Sequence, residues 1–510
     1  MSNRNIKKQL LHEHHDFFLA SQHPSASQAL SRLAAKYLMP ARMWRHGIHA
    51  FLEVLRHNLP DSLEHMLTFI YIAYSMMALL YETVPAFEDT WIECLGNSST
   101  PTKSRFYLFM SILGDLGRYR MAIGDDEPRE REVWSNVAKF WYNKASDKTP
   151  NVGRLYHHLA ILARPYTLEQ LSLYTRSLTC VNPFESAKRS LMTLFEPVLH
   201  HKDTAQRRPC SFETVFIRAH AIFFTSKLTD SPDLLDATID DLEKGDLLNK
   251  FISRAGAGFK ETGAYAAILN IAALFEYGSA KDGASKSRLR LAYEDTQVVI
   301  EEAKKDAAAN LSEAANLPPS TVITHSEVGN LMTFDMDGSN ALIAQPSRLA
   351  SITLATCLER PRDSNVYPLV HVYLVFIWSL DVVLQSCKYF EQDAVLTTIE
   401  QDIPWISVCL FLNTLTADPQ TMRAKIWRAE LPRPDKENGR PLPEDFIMRG
   451  QLYTQRYFAA KWFTTSIANN DERSHDPPSV AQPRKERMLW LGLRIASVRL
   501  HTMVIKFLLI

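Results

Sequence analysis

Six cysteines in 510 residues, at Cys94, Cys180, Cys210, Cys357, Cys387 and Cys409, are too few and too scattered to staple a fold. None pairs as Cys-x-x-Cys, which excludes a zinc ribbon and a thioredoxin-like centre and suits a reducing compartment, nucleus or cytoplasm. Net charge is also missing. Lys plus Arg and Asp plus Glu each number 57, so the chain as a whole has no polyanion-binding footprint. Residues 1–200 hold 22 basic and 19 acidic side chains and eleven of the 17 histidines, leaving 35 basic and 38 acidic for the rest. No apolar run reaches the ~20 residues of a membrane span. Met66–Tyr81 is broken by Thr68 and Ser75, and Tyr367–Leu380 by Pro368 and His371, so both read as buried helices rather than membrane segments. An apolar signal core is lacking, and the acids and histidines at 12–16 are unlike a transit peptide.

Enzyme signatures are equally absent. The chain has no Gly-x-Ser-x-Gly, no phosphate-binding glycine loop and no Gly-x-Gly-x-x-Gly, and it offers no Cys–His arrangement with a local signature. A non-enzymatic protein without cofactor is expected. His12-Glu13-His14-His15-Asp16 lacks the His-Glu-x-x-His zinc spacing and reads as a solvated helix, so no metal is expected.

What the chain does have is helical periodicity. Residues 5–20, 27–38, 41–58, 61–82, 107–123, 131–146, 153–163 and 167–178 carry it, and Pro183-Phe184 opens a further helix to about 199. The pattern continues over 212–227, 233–253, 262–277, 285–309, 347–358 and 366–391, after Pro404-Trp405 and again from Lys485, with no alternating strands; the fold class is all-α. Residues 310–347, with Pro318-Pro319 and Asp337-Gly338-Ser339-Asn340, and the proline-rich 418–443 read as irregular segments.

A repeat can be counted inside this pattern. Ala138, Tyr142, Ala145 and Pro150 stand at positions 20, 24, 27 and 32 of a 34-residue tetratricopeptide frame, and Tyr156, Leu159 and Ala160 open the next unit. Small residues at these places let paired helices approach. Leu116-Gly117 opens the preceding unit, with a stretched loop over 124–131, and places Arg118-Tyr119-Arg120 on its first helix.

The helix after Pro40 carries the clearest charge pattern. At ~100° per residue, Arg42, Arg45, His49 and Arg56 fall on one stripe, while Met43, Ala50, Phe51 and Val54 fall opposite. Two readings are open: a solvated polar face, which every amphipathic helix needs, or a phosphate site, since guanidinium groups make paired hydrogen bonds to phosphate oxygens. Arg118 and Arg120 on the later helix could complete such a pocket from across a groove.

Several phrases also occur together in a known order. They are Trp44-Arg45-His46, Leu113-Gly114-Asp115-Leu116-Gly117-Arg118-Tyr119-Arg120, Leu159–Ala163, Tyr174–Leu178, Pro183-Phe184, Ile403-Pro404-Trp405 and Leu442-Pro443-Glu444-Asp445-Phe446. The chain thereby resembles the family of the telomerase-associated Ever Shorter Telomeres proteins and the Smg adaptors of nonsense-mediated mRNA decay; Asp16–Ser25 looks like its filamentous-fungal branch. The resemblance implies a 14-3-3-like domain of tetratricopeptide-type helix pairs over 1–200, then a helical-hairpin DNA/RNA-binding-type domain over 201–510. It further implies that the first domain binds a phosphorylated segment of the decay RNA helicase, with Arg118-Tyr119 matching the Arg-Tyr pair of 14-3-3-like pockets. His49 stands where the decay adaptors present a lysine, and Arg56 suits a second basic contact. RNA or single-stranded DNA at telomeres is the alternative partner, and a diverged interaction scaffold a third role. Three departures stand out. Asn97–Gly114 looks like an insert from a misread gene model, Val498–Ile510 leaves the family pattern, and the acidic nuclease cluster of some relatives is missing.

Overall fold

The structure is a computed structural model and describes residues 2–37, 39–83, 106–123, 128–200, 211–225, 238–240, 242, 246–278, 287–299, 337–386, 394–416, 426–427, 431, 441–459, 462–463, 473 and 476–499. The protein is all-α: the regular elements among the described residues are helices, joined by an isolated bridge between Cys180 and Gln451. The chain forms two compact units, one of Met1–Pro165 with Phe463–Glu472 and one of Tyr166–Trp462 with Arg473–Ile510. The change at Pro165/Tyr166 falls ahead of the 200/201 boundary expected. The reason is packing, because the helices after Tyr166 bury their faces against helices of the second unit.

The first unit runs α1 (Ser2–Gln22), α2 (Gln28–Lys36), α3 (Met39–Arg42), a π-helical turn (Met43–His49), α4 (Ala50–His57), α5 (Leu63–Thr83), α6 (Phe106–Ile123), α7 (Pro128–Lys148) and α8 (Gly153–Leu162). α5 buries Met66, Phe69, Ile70, Ala73, Met77 and Leu80 on one face, and Phe51 of α4 meets Phe69 edge-on at 4.7 Å. α6 and α7 are an antiparallel pair whose close approach needs glycine. A Cβ on Gly114 would stand 2.7 Å from the Tyr142 ring, and one on Gly117 3.2–3.3 Å from Ala138. The counted repeat positions Ala138, Tyr142, Ala145, Tyr156, Leu159 and Ala160 are all buried, and the Tyr156 hydroxyl donates to the Pro150 carbonyl at 2.6 Å. Of the expected insert, residues 97–105 lie outside the described residues. The remainder is the first half of α6, with Met110, Ile112 and Leu113 in the core. The loop expected over 124–131 is shorter, because α7 starts at Pro128, a residue preorganised for a first turn.

The second unit runs α9 (Thr167–Thr179), α10 (Ala187–His200), α11 (Phe212–Thr225), α12 (Leu247–Ala255), α13 (Phe259–Leu274), α14 (Asp337–Leu358), α15 (Tyr367–Ser386), α16 (Ala394–Asp402), α17 (Trp405–Thr414), α18 (Pro443–Met448) and α19 (Ala481–Arg499), with a further helix over 288–299. α13 and α15 are apolar nearly all round, as helices at the centre of a core must be. Several of the polar groups they carry inward are paired. Asn270 Nδ2 donates to Thr353 Oγ1 at 3.1 Å and Tyr373 Oη at 2.8 Å, and the Tyr293 and Ser379 hydroxyls share a 2.7 Å bond. α5 and α15 span 21 and 20 residues, longer than their apolar runs implied, and both reach the length and composition of a membrane span. α15 is buried along most of its length within its unit, whereas α5 leaves Tyr71 and Leu79 exposed.

Three sequence expectations need correcting. Residues 337–347 are helical rather than irregular, because Asp337, Ser339 and Asn340 suit the opening turn of a helix as well as a break. The helix expected from Pro183-Phe184 begins at Ala187 instead, its start fixed by Ala187 N–H bonding to the Phe184 carbonyl. In the segment 418–443, mostly outside the described residues, Pro443 opens α18 instead of ending an irregular stretch. Residues 310–336 and 500–510, part of two further expectations, are outside the described residues.

A buried ion-pair system ties α18 to α15 and α19. Arg484 grips Glu444 with two parallel bonds, Nε to Oε1 at 2.6 Å and Nη2 to Oε2 at 2.9 Å, and reaches Asp476 at 3.1 Å. His371 Nδ1 meets Glu444 at 2.9 Å and its Nε2 meets the Tyr457 hydroxyl at 2.7 Å. Arg487 pairs with Asp445, which also caps the Leu442 N–H at 2.9 Å. Burial by itself opposes ionisation of Glu444, but Arg484 and His371 hold its carboxyl well below the usual range. Replacing Arg484 with Met leaves that carboxylate buried and half-paired, and should cost about 3–5 kcal/mol, read as a lower denaturant midpoint for the second unit. The depressed carboxyl also sets a pH signature. Its stabilisation is complete above the ordinary glutamate range and should drain away as pH falls below about 4.5, which acid titration of unfolding will show.

Candidate anion site between helices of the first unit

The π-helical turn decides which residues reach the site. A π turn takes one more residue per turn than an α-helix, so the face that follows it is rotated relative to uniform 100° spacing. Leu52, which uniform spacing would set beside the basic stripe, is fully buried, and Val54, expected opposite the stripe, is 53% exposed. The buried side of the π turn and α4 is Met43, Gly47, Ile48, Phe51, Leu52 and Leu55. Arg42 and Arg45 lie exposed before and within the turn, His49 is half-buried at its end, and Arg56 is exposed about two turns on. The four are therefore not one straight stripe.

Instead His49, Arg56 and Tyr119 come together around Glu53, with Arg118 against the Tyr119 ring. The Tyr119 hydroxyl of α6 donates to Glu53 Oε1 at 2.7 Å, and Arg56 Nη2 pairs with Oε2 at 2.9 Å. The His49 ring stands edge-on to Tyr119 with centroids 6.4 Å apart and leans on Trp44 at 5.6 Å. The Arg118 guanidinium lies over the Tyr119 ring at 5.4 Å. The Tyr119 bond, aided by Arg56, His49 and His57 against the effect of burial, lowers the Glu53 pKa. Burial and the Glu53 carboxylate in turn push the Tyr119 phenol up, so the hydroxyl stays a donor.

Behind Arg118 lies a second carboxylate, Asp115, 2% exposed in its side chain. The Tyr142 hydroxyl donates to its Oδ1 at 2.6 Å, Arg118 Nη2 at 3.4 Å, and Arg154 Nη2 stands 3.9 Å from Oδ2. His158 stacks flat on Tyr142, centroids 5.1 Å apart at 10°, with Nδ1 3.8 Å from Asp115 and Nε2 accepting from Arg154 Nε at 3.2 Å. Burial pushes Arg118 toward neutrality, but Tyr142 and Asp115 outweigh it and raise its pKa, so the guanidinium keeps its charge. Arg118 Nε is buried without a hydrogen-bond partner, while 28% of the side chain remains exposed. The two histidines at 157–158 stay neutral. Burial, with the Arg118 and Arg154 cations, takes His157 down to about 4; His158, where Asp115 pulls the other way, goes to about 3. Of the pair, His158 is the packed one and His157 is half-buried.

Sequence reasoning missed Glu53, Asp115, Tyr142 and His158 as members of the site. A signal existed for Glu53: an acid three residues before Arg56 on a helix makes a natural pair. None existed for the meeting of Tyr119 with Glu53, which bridges 66 positions. Elsewhere, His14 of the histidine-rich α1 bonds its own Leu10 carbonyl at 2.7 Å, and no group of three metal-binding side chains occurs among the described residues.

Comparison with known proteins gives the following. The Est1 DNA/RNA binding domain family matches residues 138–452, more than half of the chain. A segment of 190 residues is 28% identical to the Telomerase-binding protein EST1A of Danio rerio, covering 32% of this chain and 12% of that protein. A segment of 153 residues is 33% identical to the Nonsense-mediated mRNA decay factor SMG7-like of Arabidopsis thaliana, covering 29% of this chain and 17% of that one. The matches thus span a small part of either relative. Among solved structures, one described as the crystal structure of Est1 and Cdc13 aligns over 96% of both chains with a TM-score of 0.51 at 11% identity, a likeness of fold.

Two outcomes test the geometry. Gly117→Val places methyl groups against the Ala138 backbone and should lower the stability of the first unit by about 1–3 kcal/mol, measurable by chemical denaturation. The neutral histidines stabilise fully above their ordinary value of 6.5. As pH falls from there toward 4 and 3 that stability should be lost, and His158→Gln should flatten the midpoint-against-pH curve in this window.

Proposed function

The chain belongs to the Est1 DNA/RNA binding domain family, and on that premise we propose that it is a non-enzymatic adaptor that recognises a phosphorylated segment of a partner protein. The observation that carries this reading is the convergence of donors from two helices, Tyr119 and Arg56, on one anion, with His49 beside them and Arg118 stacked on the Tyr119 ring. Charge-assisted donors from a rigid frame are what a phosphate needs, and phosphate offers three acceptor oxygens and up to two charges. Asp115 supports the arrangement from below by holding Arg118 charged and oriented. Arg42 and Arg45, exposed at the preceding turn, add positive potential for flanking acidic residues of the same segment. His49, edge-on to Tyr119, adds a ring nitrogen able to hydrogen-bond a ligand.

The relatives named for telomerase binding and for nonsense-mediated decay point to a role in RNA surveillance or telomere maintenance, in the nucleus or cytoplasm. A phosphorylated stretch of the decay RNA helicase is the first partner to try. Fluorescence anisotropy with phosphoserine and unmodified versions of such a peptide should show binding of the phosphorylated form alone. Arg56→Glu, an exposed position whose change leaves the core intact, and Arg118→Glu should each weaken it at least about tenfold. Equal affinity for both peptides, or no loss in either variant, overturns the pocket.

A second reading rests on the family match itself, which names DNA/RNA binding over 138–452. If single-stranded nucleic acid is the partner, affinity should fall steeply with salt. No binding at low salt removes that reading.

A further inference from the structure

We infer that Glu53 is a built-in competitor for the anion site, and that it makes the site select phosphate over a carboxylate in the same position of a partner. The inference rests on the phosphate reading above and adds a specificity-determining residue to it.

The argument begins with saturation. Both Glu53 oxygens are engaged, Oε1 by the Tyr119 hydroxyl and Oε2 by Arg56. Arg56 and Glu53 are three residues apart on one helix, and such a pair alone would be an ordinary surface contact of little consequence. Tyr119 makes the difference. It reaches across from α6, it is buried, and its hydroxyl is spent on the carboxylate of another helix. An incoming anion that uses Tyr119 and Arg56 must therefore displace Glu53, whose side chain is 27% exposed and so borders solvent.

Displacement is a contest between a tethered monoanion and an incoming group. An aspartate or glutamate of a partner carries the same charge and the same two oxygens as Glu53. It gains nothing by the exchange and lacks the advantage of being held in place. A phosphoserine brings close to two charges and a third acceptor oxygen, which the His49 ring beside Tyr119 can engage. Unphosphorylated serine brings no charge and leaves Glu53 in place. The apparent affinity of the site is then the intrinsic one reduced by the fraction of molecules in which Glu53 has left.

The experiment uses the full chain and a fluorescent peptide with phosphoserine fixed at its centre in an otherwise degenerate sequence, beside versions with serine and with glutamate there. Wild type should bind the phosphoserine peptide and not the glutamate one. Glu53→Ala should bind the phosphoserine peptide roughly three- to tenfold more tightly and begin to bind the glutamate peptide. Glu53→Gln, which retains an acceptor for Tyr119, should fall between. Unchanged circular dichroism will show that the folded state is intact in both. Binding by the variants where wild type shows none also supports the competitor. Wild-type binding that Glu53→Ala leaves equal or weaker, or a glutamate peptide that wild type already accepts, overturns the competitor while the phosphate pocket stands. Failure of wild type and both variants to bind any phosphoserine peptide overturns both.

Discussion

A carboxylate sealed between two helices cannot stay charged unless other groups compensate it, and Asp115 is where the first unit meets that requirement. The glycines at 114 and 117 bring α6 and α7 so close that Asp115 is shut away from water. The same closeness puts the Tyr142 hydroxyl in bonding distance and gives Arg118 and His158 a fixed anion to face. Desolvation alone would neutralise such a cluster. Pairing keeps Arg118 a cation, while burial keeps Tyr142 a phenol and His158 a neutral stacking partner. The exposed side of Arg118 is the outer surface of this buried system.

The second unit solves the same problem with a different pairing. Glu444 and Asp445 begin a short helix inside the protein, and each takes a guanidinium from α19, while His371 of the central α15 closes the group. The phrase Leu442-Pro443-Glu444-Asp445-Phe446 therefore has a structural reason. Proline starts the turn, Asp445 caps it, and the two acids anchor the surrounding helices. Arg176 of α9 extends the tie by donating to the carbonyls of Phe446 and Arg449. Such buried ionic contacts specify which helices meet more than they add net stability.

An anion site already holding an anion of its own chain has consequences for recognition. Glu53 keeps oriented donors that would otherwise be solvated, and on the proposed reading this holds the geometry a phosphate needs before a partner arrives. The carboxylate also raises the charge that a ligand must bring. A phosphate can meet both conditions at once, through its charge and its extra oxygen.

Much of this was legible in the chain itself. The helical period, the lack of alternating strands and the small-and-aromatic spacing of Ala138, Tyr142 and Ala145 are local features, set by which side chains can share one helix face, and they determine an all-α protein with paired helices. Arg56, His49, Arg118 and Tyr119 were legible as candidates for the same reason, since each stands in a readable local phrase. Arg42 and Arg45 share one stripe with them only under uniform helical spacing, which the π turn over Met43–His49 interrupts. The meeting of Glu53 with Tyr119, and of Asp115 with Tyr142 and His158, joins positions 27 to 66 residues apart. Contacts of that kind follow from how whole helices dock, which no local pattern encodes. Tertiary structure alone thus decided that the basic residues face a carboxylate of their own chain.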